Sequence, residues 1–281
     1  MMRRTGSIAA VTLCIVCVSA ANTTRADTLT VTSIDDNTLY ETANGEVSGG
    51  ASTTFFVGRV GVNGEGKLRR GVIKFDLSAL PTHAVVESVS LKLHCSAAGL
   101  STPFTISLKR MLKSWGEGVS FAFGGGGASS TPGDATWLHR FYPNTLWSSP
   151  GGDFSPTVSA STNVGSSGFY TWATTPTAVA DVQGWVNVPV SNFGWMVQGN
   201  EITLQSAKRF DSHESALSTR PQLTVVYTVG LLGDLNGDDK VNAADLSILL
   251  GAWGQTGPAN IDNLGVVDAG DLAYLLSKWT G

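Results

Sequence analysis

The chain of 281 residues carries 18 Lys and Arg against 22 Asp and Glu, a net charge of −4, with 33 glycines and only 3 cysteines. So even a balance, with no basic run able to track a phosphate backbone, excludes nucleic acid as a partner. The length leaves room for one sizeable domain and a smaller one.

The chain opens on Arg3 and Arg4, then an apolar run from Ile8 to Ala21 and small residues ending at Ala26. This layout predicts a secretory signal peptide over residues 1–26 and a secreted product, extracellular or associated with the cell surface. The run is short for a bilayer, and no other stretch approaches about 18 consecutive apolar residues, so no transmembrane segment is expected in the mature protein. Cys14 and Cys17 would leave with the signal, and Cys95 is then expected as a buried strand residue without a disulfide partner.

Residues 27–229 alternate short β-rich runs with Gly, Ser, Thr and Pro, and helical periodicity is nearly absent. Strands are predicted over residues 28–32, 53–60, 71–75, 85–94, 104–111, 169–173, 193–197 and 222–228. Between Ser88 and His94 apolar and polar residues alternate, as on a strand with one buried face. Eight or more such strands point to a mainly β fold, a jelly-roll-like β-sandwich. The glycines at 124–127 form a loop without the Lys-Ser/Thr ending of a phosphate-binding loop. No nucleophile elbow or zinc-binding His-Glu-x-x-His is present, and no carboxylate pair identifies a glycosidase, so no catalytic residue is assigned. Trp115, Trp137 and Trp147 lie beside loop sequence and, with His139, are the candidates for a carbohydrate-binding face; the competing reading is core filler and an ordinary hydrogen-bonded histidine. Arg69, Arg70, Lys208 and Arg209 are candidates for a cluster that meets acidic sugars, against the alternative of solvated strand-edge charge.

Residues 230–281 hold a different pattern. Asp234, Asn236 and Asp238 fall at positions 1, 3 and 5 of a twelve-residue loop, Lys240 offers its carbonyl at 7, Asn242 stands at 9 and Asp245 closes it at 12. These are the oxygen donors a hard cation requires, and calcium is the expected metal. Position 6 is Asp239 rather than Gly, and no clear helix precedes the loop, so a full two-helix EF-hand is not expected. The stretch from Asp245 to Trp253 recurs 26 residues later from Asp271 to Trp279. Each copy places Leu, Leu, Leu and Trp at i, i+3, i+4 and i+7, one helical face, and the two faces are expected to pack together. The second loop offers Asn260, Asp262, Val266 through its carbonyl, Asp268 and Asp271, but has Leu264 at position 5, so it is expected to bind more weakly.

Two resemblances follow from these residues. Residues 233–279 resemble a type I dockerin, which implies a small all-α module with two loop-helix repeats, folded by calcium and docking to a cohesin-like protein. The Ser-Thr pair that reads clostridial cohesins is replaced by Ala243-Ala244 and Ala269-Gly270. Within residues 30–228, the phrases Asp36-Asn-Thr-Leu-Tyr-Glu41, Arg69-Arg-Gly-Val-Ile-Lys-Phe-Asp-Leu-Ser-Ala-Leu-Pro81, Trp115-Gly-Glu-Gly118, Gly133-Asp-Ala-Thr-Trp137, Pro150-Gly-Gly-Asp-Phe154, Asn192-Phe-Gly-Trp195 and Lys208-Arg-Phe-Asp-Ser-His-Glu214 resemble DNRLRE-type extracellular modules in their order. Such modules are similar to family 96 carbohydrate-binding modules, which implies a polysaccharide ligand; His213 stands where that family usually has Arg. The expected function is therefore a secreted, non-catalytic protein that binds polysaccharide and docks through a calcium-dependent module in extracellular polysaccharide degradation. The alternatives are a polysaccharide hydrolase or lyase with an unrecognised site and a structural cell-surface protein.

Overall fold

The structure, a computed structural model, describes residues 26–81, 83–262 and 264–280, so the predicted signal peptide, but for Ala26, lies outside the described residues. The chain is mainly β, and its sheets, one large and two of two short strands each, are antiparallel. Ten strands make up the large sheet: β1 (Asp27–Tyr40), β2 (Thr54–Arg59), β3 (Leu68–Phe75), β4 (Ala84–Ala98), β5 (Phe104–Arg110), β6 (Ala160–Val164), β7 (Gly168–Trp172), β8 (Trp195–Gln198), β9 (Lys208–Asp211) and β10 (Gln222–Val229). Neighbours run β1-β10-β4-β9-β2-β3-β8-β5-β6, and β7 also pairs with β4.

β1 does two jobs. Asp27 to Thr32 pair with β10, in the register Asp27 opposite Tyr227, and Ser33 to Tyr40 pair with β3, with a register shift between Ser33 and Asp35. The sequence predicts a strand that stops at Thr32, because the polar run Ser33-Ile-Asp-Asp-Asn-Thr38 breaks the alternation. The strand continues because those polar side chains find partners: Asn37 donates from Nδ2 to Ser48 Oγ at 3.0 Å and to the Glu117 carbonyl at 2.8 Å. A buried amide with its bonds made costs little to bury.

On β4 the alternation is realised, with Val89, Leu91, Leu93 and Cys95 buried and Lys92 exposed. Cys95 is a free buried thiol whose acidity burial weakens. The main apolar cluster joins these residues to Phe55, Phe75, Trp172, Trp195 and Phe210. It is closed by α1 (Pro176–Asn187), a helix that the sequence reading missed. Its signals were local: Thr175 accepts from the Ala178 N–H as N-cap, Pro176 occupies the first turn, and Ala178, Val182 and Trp185 bury one stripe at i, i+4, i+7. β6 and β9 were likewise not foreseen; both are too short and polar for a periodic signal.

A second cluster gathers Leu39, Val72, Met111, Trp115, Trp137, Trp147 and Met196 between β3, β8 and the long connection after β5. Lys208 is buried on β9, and its Nζ donates to the carbonyls of Leu100, Thr102 and Gly165.

The C-terminal segment has its own cluster: Val241, Leu249, Ala259, Ile261, Val267 and Leu275, with Leu231, Leu232, Leu246 and Leu272 packed against it. It contains α2 (Ala243–Gly251) and α3 (Ala269–Ser277). The expected four-residue faces do not pack whole. Leu249 and Leu275 are fully buried, while Leu250, Trp253, Leu276 and Trp279 are 51, 46, 50 and 42% exposed. Each nine-residue helix buries one apolar side chain fully, beside the Asp that closes its loop, and Val241, Ile261 and Val267 from the loops fill the space. Among the described residues no helix is long and apolar enough to cross a membrane.

Candidate metal centres

In the first loop Asp234 turns its carboxylate inward, accepting the N–H groups of Gly237 and Asp239, each at 2.7 Å, and of Asp238 at 3.1 Å. Asn236 donates from Nδ2 to Asp238 Oδ2 at 3.1 Å. Asp239, where a glycine is usual, adopts the left-handed conformation at φ 61°; Asp tolerates this region better than most residues. Asp245 is fully buried: Oδ1 accepts from Leu235 N at 2.7 Å and Asn236 N at 3.2 Å, and Oδ2 from Asn242 N at 2.8 Å. Burial alone would raise this carboxyl, but those N–H groups outweigh it and hold Asp245 below its ordinary value. Asn242, expected as a ligand, caps α2, its Oδ1 accepting from Ala244 N at 2.8 Å. The Lys240 N–H donates to Asp238 Oδ1 at 3.0 Å.

The second loop repeats this scaffold at the same 26-residue offset. Asp271 Oδ1 accepts from Ile261 N and Asp262 N, and Oδ2 from Asp268 N, at 2.5, 3.0 and 2.8 Å. Asp271 is also held below its ordinary value against the effect of its burial. Asp268 caps α3 through the Gly270 N–H at 2.7 Å. A Cβ on Gly270 would lie 2.9 Å from Asp262 Oδ2 and 3.1 Å from Asp268 Oδ1, so glycine lets the carboxylates close in. Leu264, at the position that lacks an oxygen, is 72% exposed, and Val266 is 39% exposed. Asn260 donates from Nδ2 to the Gly265 carbonyl at 3.1 Å, while its buried Oδ1 has no partner.

Carboxylate oxygens of Asp234, Asp238 and Asp245 lie within 4.8 Å of one another, as do those of Asp262, Asp268 and Asp271. An all-oxygen, acidic donor set suits a hard divalent cation. A buried amide oxygen without a hydrogen-bond donor at position 1 of the second loop fits the same requirement.

The sugar candidates of the sequence reading are not surface groups. Trp115, Trp137, Trp147 and His139 are 8, 8, 5 and 9% exposed, so none offers a free stacking face. The connection after β5 folds back over β3 and β8, and the indoles become its core. Trp115 Nε1 donates to the Phe193 carbonyl and Trp147 Nε1 to the Thr136 carbonyl, both at 2.9 Å. Trp137 is covered by the Arg70 guanidinium, which Glu201 holds at 2.6 and 3.0 Å. His139 Nδ1 lies 3.0 Å from Thr136 Oγ1. Arg69 and Lys208 are buried and spent on backbone carbonyls, so the four-cation cluster does not form.

One constellation escaped the sequence reading. His213 Nδ1 is 3.3 Å from both Asp36 Oδ2 and Glu117 Oε1, and its Nε2 is 3.1 Å from Glu214 Oε1. The Asp36 N–H donates to Glu117 Oε1 at 2.7 Å, and the His213 N–H to Asp36 Oδ2 at 2.9 Å. Burial lifts Asp36 to about 6 and Glu117 to about 8, while the hydrogen bond to Asp36 lifts His213 to about 9. The signal was present in pieces, since three of the quoted phrases supply Asp36, Glu117 and the pair His213 and Glu214; only the fold joins them. No family model matches the sequence, and no curated protein matches it either.

Proposed function

We propose that the C-terminal segment is a calcium-dependent docking module of dockerin type, joined to a jelly-roll-like β-sandwich that binds polysaccharide without catalysing its breakdown. The observation that carries the reading is the duplicated scaffold: at a 26-residue offset the closing Asp takes the same N–H groups, and three carboxylates converge in each loop. Calcium, when bound, supplies the positive charge that lets those carboxylates stay together. Asp234, Asn236, Asp238, Asp245 and the Lys240 carbonyl would hold it in the first loop, and Asn260, Asp262, Asp268, Asp271 and the Val266 carbonyl in the second. The chain's own residues fix the geometry beforehand, since both loops run straight into capping boxes that start α2 and α3. Leu250, Trp253, Leu276 and Trp279 stand exposed at equivalent places in the two repeats and supply an apolar surface for a cohesin-like partner. The polysaccharide half rests on the ordered DNRLRE-type phrases and on the export that residues 1–26 lead one to expect; Trp115, Trp137 and Trp147 are buried and offer it no stacking face.

Calorimetric titration of the chelator-treated chain with calcium tests the first half. Two sites are expected, and binding should sharpen the amide resonances of Leu235 and Ile261. Heat equal to dilution alone would remove calcium and, with it, the docking module. Affinity electrophoresis in alginate, pectin and cellulose tests the second half; retardation is expected in at least one, and migration unchanged in all would leave a structural surface protein.

A further inference from the structure

His213 sits where three separate stretches of chain meet. Asp36 comes from the buried half of β1, Glu117 from the connection after β5, and His213 and Glu214 from the turn between β9 and β10. The charged groups that face the imidazole are Asp36 from β1, Glu117 from that connection and Glu214 beside it on the same turn. Among the described residues no lysine or arginine forms an ion pair with any of these carboxylates, so the imidazole is their single cationic partner. Both ring nitrogens are already engaged, Nδ1 between Asp36 and Glu117 and Nε2 on Glu214, as suits an imidazolium, which donates from each side. A neutral ring has one N–H and must turn an unprotonated nitrogen toward a carboxylate. That replaces an attraction by a repulsion inside a site where Asp36 is 1% exposed.

The three stretches are not held equally without the histidine. The Glu117 carbonyl remains tied to Asn37 Nδ2, and Asp134 pins the connection by accepting from Val119 N at 3.0 Å and Thr131 N at 2.6 Å. The turn beyond β9 is looser: Ser215, Ala216, Leu217 and Ser218 lie on or near the surface, Leu217 at 73% exposure. Its ends are tied, by the Ser212 N–H and Ser215 Oγ to the Thr53 carbonyl and by the Ser33 N–H to the Pro221 carbonyl, and between them His213 is its contact with the acidic groups, through the ring and through the N–H to Asp36.

We propose that His213 is the pin of a pH-operated clasp: as the imidazolium its ring fastens the β9–β10 turn to Asp36 of β1 and to Glu117, and loss of its proton slackens the exposed tip of that turn, residues 216–218, between its tied ends while the rest of the sheet stays folded. The upward displacement of His213, Glu117 and Asp36 agrees with this, because the cluster keeps protons that the separate groups would have lost. An arginine in the same place would keep its charge throughout, which makes the clasp a consequence of histidine in particular.

The test uses the intact chain, carbon-13 labelled at histidine and leucine methyls, titrated from about pH 6 to about pH 10. The expected results are a His213 ring resonance that titrates well above an ordinary histidine and a Leu217 methyl that narrows over the same midpoint. Methyls of Leu91 and Leu223 should not change. In His213→Arg the Leu217 signal should stay in its low-pH state throughout. A His213 midpoint in the ordinary range, or a Leu217 transition equally present in His213→Arg, overturns the clasp. If His213→Arg does not fold, the wild-type midpoints decide alone, and His213 and Leu217 midpoints a full pH unit apart overturn it. A stoichiometric shift of the His213 ring on adding zinc at about pH 7 would mean a metal site instead, and would overturn it as well.

Discussion

Asp245→Ala should unfold the C-terminal segment in chelator and leave the β region intact. The lost carboxylate takes the N–H groups of Leu235, Asn236 and Asn242 at a place with no exposure to solvent. A buried donor left unpaired costs about 1–3 kcal/mol, and bonds to a charged acceptor stand at the upper end. The loop will relax and admit water, which recovers part of that sum, so the net loss is about 3–5 kcal/mol. A segment of about 50 residues has only about 3–7 kcal/mol of stability in total, and the change removes most of it. Asp245→Asn separates the contributions. One amide oxygen can still accept from Leu235 and Asn236, but the amide nitrogen then faces the Asn242 N–H, donor against donor, and the loss should be about half as large. Hydrogen exchange by mass spectrometry on the intact chain reads this directly, with peptides from residues 233–280 against peptides from β4 and β10. Calcium should restore protection in Asp245→Asn more than in Asp245→Ala. Full protection of the segment in chelator-treated Asp245→Ala would refute the reasoning, because the three donors would then have found other partners at no cost.

Gly270→Ala should weaken only the second metal loop, by about tenfold, since its Cβ must displace Asp262 and Asp268; site-resolved calcium titration by NMR reads it, and equal effects in both loops would contradict it. Trp147→Ala should cost about 3–5 kcal/mol in urea unfolding while the folded fraction keeps its polysaccharide retardation, because the ring is core and not platform. Stability of the β region should fall as pH rises. Asp36, Glu117 and His213 all have folded pKa values above 3.8, 4.5 and 6.5, so the folded chain binds more protons, and stability present in acid is lost between about pH 4 and about pH 9. Urea midpoints at about pH 5 and about pH 8.5 check the sign, and a higher midpoint at the alkaline end would reverse it.

What could be read from the sequence was whatever local physics decides. Alternation between Ser88 and His94 placed β4, and the Asp spacing with its 26-residue echo placed both loops and both helices. The polar half of β1 was illegible because its stability comes from Ser48 and Glu117, which lie 11 and 80 residues from Asn37. For the tryptophans the structure favours the core alternative, for a related reason. Loop neighbours suggest exposure, but here the loop itself is folded over the sheet, and burial is decided by where a segment lies rather than by what it is called. The His213 cluster needs contacts over 81 and 177 residues, and no window along the chain contains them.

The pairing of β1 and β10 has a mechanical side. Asp27 lies opposite Tyr227, so the start of one strand and the end of the other leave the sheet at the same edge. Tension applied between residue 27 and the C-terminal segment therefore opens that ladder from its end, one pair after another, at low force. Only after Thr32 has parted from Gln222 does the load reach Ser33, where the strand changes neighbours and Leu39 and Tyr40 are anchored in the interior. Under pulling, the chain would lengthen by a short, refoldable stretch first, a yielding fuse ahead of the core.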